Sequence, residues 1–190
     1  MFSLPPVTQA LILINVAAFL AEGMLGDVAG WLALWPLGAQ FMPWQVITYA
    51  FLHGSLAHLL FNMFGVYMFG SELERVWGSK RFFNYYLVSV LGAAVTQLLV
   101  AAFTGANSPT IGASGGVFGL LLAFALVFPQ RMIMPLFPPI PMRAPVFVAL
   151  YGVLELVLGV TGTQEGVAHF AHLGGMAGGY LMLRFWRRAR

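Results

Sequence analysis

The sequence contains no cysteine and has few charged residues for its length. The lack of cysteine excludes disulfide bonds, thiolate catalysis and cysteine-bound zinc. Only 8% of the 190 residues are charged and 60% are hydrophobic, whereas a soluble domain has about 25% charged residues. So few charges cannot cover a water-exposed surface, and the composition therefore predicts a protein whose main solvent is the lipid bilayer.

Long apolar runs predict an all-α membrane protein with a single membrane domain over residues 1–190. A helix needs about 20 apolar residues to cross a bilayer, and the sequence has six such runs without an internal repeat or a soluble domain. Their approximate bounds are 6–25, 55–73, 83–103, 113–128, 144–160 and 168–186.

The basic residues predict how these helices are oriented. With six spans, all nine lysines and arginines lie on one side of the membrane, which the positive-inside rule makes the cytoplasmic side. Both termini then face the cytoplasm. The net charge of +3 does not indicate nucleic-acid binding, because the basic residues form short clusters beside apolar segments. They are Arg75, Lys80, Arg81, Arg131, Arg143, Arg184, Arg187, Arg188 and Arg190.

The segment between the first two spans, roughly residues 26–54, is predicted to be a structured outer loop. It contains Trp31, Trp35, Trp44 and Tyr49, and these amphipathic rings are favoured at a membrane–water interface. We therefore expect short interfacial helices in this loop.

Ser114 lies in the stretch "GASGGVFG", at the predicted outer end of the fourth span. At a helix N-terminus the backbone N–H groups lack partners and the helix dipole favours negative charge, so a tetrahedral oxyanion would be stabilised there. Serine is also a frequent helix N-cap, and glycines allow helices to pack closely. This stretch alone is compatible with both a nucleophile and a capped packing helix.

Four histidines occur in the chain, and an ionisable residue inside a membrane indicates a functional site. His58 and His172 each lie a few residues into a span from its outer end, which places them at a depth similar to that of Ser114. His58 and Asn62 are four residues apart and project from one helix face. Their side chains can donate hydrogen bonds to an oxyanion or to a neighbouring helix.

Glycine pairs follow both Ser114 and His172. Gly175 and Gly179 form a G-x-x-x-G face after His172, and a second such pair begins at Gly115. If these faces pack together, His172 meets Ser114 as a general base meets a nucleophile. The same spacing is common in membrane helices of any function.

His169 lies three residues before His172, a spacing that also occurs in metal sites. No H-E-x-x-H motif accompanies it, so the sequence predicts neither a metal site nor another cofactor. We expect His169 to be a polar residue at the outer end of the sixth span. For His53 we expect a hydrogen-bonded position in the outer loop.

Three stretches taken together resemble the rhomboid family of intramembrane serine proteases. They are "WQVITYAFLHGSLAHLLFNMFGVYMFGSELERVWG", "GASGGVFG" and "AHLGGMAGG", within residues 44–182. The resemblance implies a rhomboid-like bundle of six transmembrane helices and a catalytic dyad, with Ser114 as nucleophile and His172 as general base. It also implies an oxyanion hole formed by His58, Asn62 and the backbone N–H of Ser114, and it assigns no acid as a third catalytic residue.

Two positions depart from the family's pattern. Gln45 stands where the outer-loop motif commonly has arginine, and Phe118 stands where tyrosine is frequent. Phe118 can still stack on His172, so neither departure removes a reacting group. Phe118 and four glycines match the pattern as supporting residues of the site, the glycines being Gly112, Gly115, Gly175 and Gly179. By the same resemblance His53 is a loop histidine and Glu74 a structural acid at the inner end of the second span.

The implied function is cleavage of transmembrane segments of other membrane proteins. We expect an active site open to the outer face of a bacterial inner membrane, with the fifth span and the stretch "TGTQEGV" at residues 161–167 as the substrate gate. For Glu155, within the fifth span, we favour a bond to a neighbouring helix over a position in the cavity. The alternative function is non-proteolytic, either a chaperone-like binder of membrane helices or a transporter.

Overall fold

The computed structural model describes residues 3–25, 28–135, 138–162 and 168–188, and helices make up most of them. Most of the predicted gate segment, residues 163–167, lies outside this described part. In chain order the helices are α1 (Pro6–Leu25), α2 (Val28–Leu32), α3 (Gln45–Thr48), α4 (Leu56–Gly65), α5 (Ser71–Trp77), α6 (Ser79–Thr104), α7 (Ser114–Val127), α8 (Ala144–Thr161) and α9 (His169–Arg188).

Short irregular elements connect these helices. A 3-10 turn, Tyr49–Phe51, follows α3, and a π-helical turn, Val66–Gly70, joins α4 to α5. After α7, strands β1 (Met132–Ile133) and β2 (Met142–Arg143) pair antiparallel. Pro145 then lies in the first turn of α8, where its missing N–H has no intrahelical partner to lose.

Three helices of the described part are long and apolar enough to cross a membrane, namely Pro6–Met24, Ser79–Thr104 and Ala144–Thr161. A fourth span is added if Gln45–Phe51 and Leu56–Trp77, which meet at an angle of 101°, count as one bent span. α7 is apolar but shorter. The helices thus agree with a membrane protein, while the count of six spans stays a prediction.

Large apolar side chains are exposed along the outside of the bundle. Leu20 on α1, Phe103 on α6 and Val160 on α8 are among them. Single exposed apolar residues are normal in soluble proteins, but an extended apolar surface needs a cover. Lipid chains provide that cover for a protein inside a bilayer.

The centre of the bundle is built around α9, which packs most extensively against α6 and α7. A Cβ added to Gly175 would overlap the backbone carbonyl of Gly115, so only glycine allows α9 and α7 to approach this closely. Gly179 lies further along α9, against Tyr85 and Ser89 of α6. This close approach brings the first turns of α7 and α9 together.

Gln45 holds together the segment between α1 and α4. Its side chain is 1% exposed, and Oε1 accepts hydrogen bonds from the backbone N–H groups of Trp35 (3.2 Å) and Met42 (3.1 Å). Its Nε2 donates to the carbonyls of Trp31 (3.2 Å) and Gln40 (3.1 Å). The Gln45 side chain thereby connects four backbone positions of this segment.

The loop before α7 is tied to the same segment by backbone hydrogen bonds. Leu34 and Thr110 exchange two of them, at 3.0 and 2.9 Å, and the N–H of Gly112 donates to the carbonyl of Tyr49 at 2.9 Å. These bonds fix the approach of the chain to Ser114, the first residue of α7.

Glu74 lies near the end of α5, far along the helix from His58, and joins the start of α1 to α6. The N–H groups of Val7 and Thr8 donate to its carboxylate at 3.0 and 2.7 Å. The hydroxyls of Thr8 and Ser79 donate at 2.8 and 2.7 Å. The carboxylate therefore satisfies N–H groups of the first turn of α1, which have no partner within the helix.

Candidate active site

Ser114 and His172 meet where the first turns of α7 and α9 come together. Nε2 of His172 lies 2.8 Å from Oγ of Ser114, although the two residues are 58 positions apart in the chain. This is hydrogen-bond distance. An imidazole nitrogen in this position can remove the proton of a serine hydroxyl and make the oxygen a nucleophile.

Both side chains line a cavity of about 510 Å³. His58 and Gln97 also line it, as do the loop residues 108–111. Gln97 lies within the third predicted span and was not among the predicted site residues. Its amide in an apolar helix is the signal that could have indicated it. The volume falls in the range of small-ligand sites, roughly 300–1,000 Å³.

Gly112 allows His58 to lie close to Ser114. It has a φ of +126°, and a Cβ at this position would lie 2.8 Å from the imidazole of His58. A side chain would therefore be strained in its backbone conformation and would also strike the ring. Glycine keeps the space between α4 and the start of α7 free for that imidazole.

His58 and Asn62 do not occupy equivalent positions. The N-cap Ser55 accepts a hydrogen bond from the backbone N–H of His58 at 3.1 Å and so fixes the first turn of α4. The side chain of His58 reaches the cavity, while Asn62 is one turn deeper and is not among the lining residues. Nδ2 of Asn62 is buried without a partner among the described residues. An unpaired buried donor is costly, so this amide still has a hydrogen bond to make. The donor role of both residues towards an oxyanion stays a prediction.

Phe118 covers one face of the His172 imidazole. The two rings are stacked, with centroids 4.3 Å apart and planes 3° from parallel. Phe118 is one helical turn after Ser114, so α7 carries both the hydroxyl and the ring that bounds the imidazole plane. The stack restricts rotation of the imidazole out of this plane.

Glu155 of α8 contacts both histidines of α9. Its Oε2 lies 2.8 Å from Nδ1 of His172 and 2.7 Å from Nδ1 of His169. All three residues are buried, with exposed fractions of 8%, 8% and 5% for Glu155, His172 and His169. The expected bond of Glu155 to a neighbouring helix is present. The family resemblance implied a dyad without a third acid, and the uniformly apolar sequence of α8 does not indicate that Glu155 faces His172.

The same three residues have the chemistry of a metal donor set. Among the described residues, Glu155, His169 and His172 form the one group of three such side chains with ligand atoms within 4.8 Å of one another. One carboxylate and two imidazoles are acceptable to zinc. The contacts themselves have hydrogen-bond lengths, and we treat the group as a hydrogen-bonded network.

His53 supports His58 by packing and not through its ring nitrogens. The rings meet edge to face with centroids 4.9 Å apart, and His53 is 1% exposed. Neither ring nitrogen has a partner among the described residues. The backbone N–H of His53 donates to Oε1 of Glu22 at 3.3 Å, so a hydrogen bond of the His53 backbone helps to hold this residue in the outer loop.

The sequence is similar to those of known rhomboid proteins. A sequence model of the Rhomboid domain matches residues 40–189. The Rhomboid protease GlpG of Klebsiella pneumoniae is 32% identical over 130 residues, which are 66% of this chain and 45% of that protein. RHOMBOID-like protein 4 of Arabidopsis thaliana is 34% identical over 140 residues, 73% of this chain and 33% of that protein.

The Rhomboid protease GlpG of Yersinia pestis is 29% identical over 188 residues, 95% of this chain and 62% of that protein. The chain thus spans from 33% to 62% of the length of these curated relatives. The domain match covers most of the chain, including α4 to α9. With its long apolar helices, the protein is an integral membrane protein and belongs to the rhomboid family.

Proposed function

We propose that the protein is an intramembrane serine endopeptidase with Ser114 as nucleophile and His172 as general base. The observation that carries this proposal is the 2.8 Å contact between Nε2 of His172 and Oγ of Ser114 in a cavity among apolar helices. The names of the curated relatives, which include two rhomboid proteases, support the same reaction.

The reaction begins when neutral His172 accepts the hydroxyl proton of Ser114 at Nε2. The oxygen attacks the carbonyl carbon of the scissile peptide bond and forms a tetrahedral oxyanion. The backbone N–H of Ser114, at the start of α7, and the side chains of His58 and Asn62 donate hydrogen bonds to it. Protonated His172 gives its proton to the leaving amine, and water then releases the acyl group by the same steps.

The substrate is a membrane-spanning segment of another protein. In a helix the peptide bonds are shielded, because every N–H and C=O is paired within the segment. The segment must therefore unwind locally before Ser114 can reach a carbonyl carbon. Glycine or proline near the cleavage site favours this unwinding.

The proposal includes six spans formed by α1, the continuous α4–α5 helix, α6, α7, α8 and α9. The basic residues near the ends of α5, α7 and α9 then lie on the cytoplasmic side, as the positive-inside rule requires. The cavity at the start of α7 opens to the opposite face. This arrangement corresponds to a bacterial inner membrane protein with both termini in the cytoplasm.

Covalent labelling by a fluorophosphonate tests the nucleophile directly. The purified wild type is expected to be labelled and to cleave a model transmembrane substrate, whereas Ser114→Ala should do neither while keeping its Tm. Ser3→Ala is the matched control, since Ser3 is exposed and remote from the cavity, and it should behave as the wild type. Absence of labelling in the folded wild type would favour the non-proteolytic alternative, a helix-binding protein or a transporter.

A further inference from the structure

We infer that Glu155 is a positioning residue for catalysis, which extends the proposed pair Ser114 and His172 to a buried chain of three groups. Its carboxylate holds Nδ1 of His172 so that Nε2 of the same ring faces the Ser114 hydroxyl. The inference rests on the proposed function, because it concerns how the general base of that reaction is oriented. The three residues come from different helices, α7, α8 and α9.

The two contacts of the His172 ring determine its tautomer. A neutral imidazole carries a hydrogen on one nitrogen only, and the other nitrogen is an acceptor. An ionised carboxylate can only accept, so Oε2 of Glu155, at 2.8 Å from Nδ1, requires the hydrogen on Nδ1. The lone pair of Nε2 is then directed at Oγ of Ser114, 2.8 Å away. This is the form that a general base needs.

His169 helps to hold the carboxylate in place. Its Nδ1 lies 2.7 Å from the same oxygen, Oε2, of Glu155, and its ring is nearly perpendicular to that of His172, at 86°. A buried carboxylate is costly unless donors compensate for the lost hydration. Two imidazole N–H groups on one oxygen provide this compensation, and both come from the first turn of α9.

The carboxylate also acts on the charge that develops during the reaction. When Nε2 takes the hydroxyl proton, His172 becomes a cation beside Glu155 in a buried environment. Opposite charges attract more strongly there than in water. The proton remains on His172, and Glu155 stabilises the imidazolium without accepting it. No covalent bond to Glu155 is formed or broken.

Among the groups around His172, Glu155 is the one suited to accept the hydrogen on Nδ1. The titratable groups that face its ring are Glu155 from α8, His169 from its own helix, and His58 across the cavity. Of these, the carboxylate is the one group that can accept the Nδ1 hydrogen as an anion. Within the described part of the chain, no lysine or arginine forms an ion pair with Glu155.

Substitutions at Glu155 separate positioning from mere stability. Glu155→Gln keeps the shape but removes the charge and replaces one acceptor by a donor. We expect its kcat on a transmembrane substrate to fall by about 10²–10⁴-fold with KM little changed, in line with loss of the acid in serine proteases. Glu155→Asp, which keeps the charge, should recover part of the rate. Glu74→Gln is the matched control at the other buried glutamate, and it should lower Tm but not kcat per labelled serine.

The tautomer gives a readout that does not depend on cleavage. ¹⁵N spectra of histidine-labelled protein report which ring nitrogen carries hydrogen, and His172→Ala identifies the signals of this residue. We expect the Nδ1–H form for His172 in the wild type and in Ser114→Ala. Glu155→Gln should lose this preference, whereas Glu74→Gln should retain it.

The outcomes distinguish this inference from the proposed function. If the wild type neither cleaves nor is labelled, the proposed function fails, and the catalytic role of Glu155 fails with it even if the tautomer is as expected. If the wild type cleaves and folded Glu155→Gln turns over equally fast, only the role of Glu155 is overturned. If Glu155→Gln does not fold, the inference is tested by the turnover of Glu155→Asp and by the tautomer of His172 in the wild type. An Nε2–H form of His172 would refute it.

Discussion

The protein buries two glutamates in its described part with similar exposure but different partners. Glu74 is 3% exposed and Glu155 is 8% exposed. Glu74 accepts hydrogen bonds from backbone N–H groups and hydroxyls near the start of α1 and α6. In the described part of the chain, the Glu155 carboxylate has hydrogen-bond contacts with two imidazole nitrogens, one of them on the ring that touches Ser114.

This difference separates a structural carboxylate from one that is coupled to chemistry. None of the partners of Glu74 changes its protonation in the physiological range, so that network can only hold helices together. The partners of Glu155 are histidines, and one of them, His172, lies against the Ser114 hydroxyl whose proton it accepts in the proposed reaction. Burial alone would rank the two residues alike, whereas the identity of their partners predicts that loss of Glu74 affects folding and loss of Glu155 affects turnover.

The largest expected effect is at the general base. His172→Ala should abolish cleavage of a transmembrane substrate, because no other described group lies at hydrogen-bond distance from Oγ of Ser114. His169→Ala should lose only about 10-fold in kcat, since it removes one of the two hydrogen bonds to Glu155. Turnover of both purified variants is the measurement. The reverse ranking would show that His169, and not His172, is the base.

A smaller effect is expected from the oxyanion donors. Removal of one donor typically costs about 10²–10³ in kcat, so His58→Ala and Asn62→Ala should be slow but still labelled by a fluorophosphonate. His58→Ala should be the more severe, because His58 lines the cavity while Asn62 lies deeper. The test is kcat together with the labelling rate.

Thr8→Ala provides the control from the Glu74 side. It removes the hydroxyl bond to Glu74, and it should lower Tm while kcat per labelled serine stays the same.

Wild-type turnover in both His58→Ala and Asn62→Ala would contradict the oxyanion role. His58 and Asn62 would then be assigned to contacts between helices, as the Glu74 network is.

The sequence predicts helices well where apolar runs are long. The predicted runs 6–25, 83–103 and 144–160 correspond to the three helices that are long and apolar enough to cross a membrane. The sequence could also predict that Ser114 and His172 lie close together, because each is near the outer end of a span and the two therefore lie at a similar depth. These features depend on positions along a helix axis, which a sequence determines directly.

Rotation of a helix about its axis is harder to predict. α8 is apolar on all sides, so no polar face indicates where Glu155 points. A carboxylate in such a helix predicts that some partner exists, but only the packing of α8 on α9 shows that the partners are His169 and His172. The edge-to-face support of His58 by His53 depends on packing in the same way.

The smallest expected effect is that of metal removal. Glu155, His169 and His172 form a possible donor set, and a bound zinc would make Glu155 a metal ligand instead of the acceptor for His172. The 2.8 Å contact between Oε2 and Nδ1 of His172 requires a hydrogen on that nitrogen, and a metal would have to displace it. We therefore expect EDTA and phenanthroline to leave kcat and the labelling rate unchanged, with Glu74→Gln treated in parallel to show that chelators do not act through stability. Loss of activity on chelation and its return with zinc would refute the hydrogen-bonded role of Glu155. Glu155 would then be a metal ligand, while Glu74 would remain a structural acid.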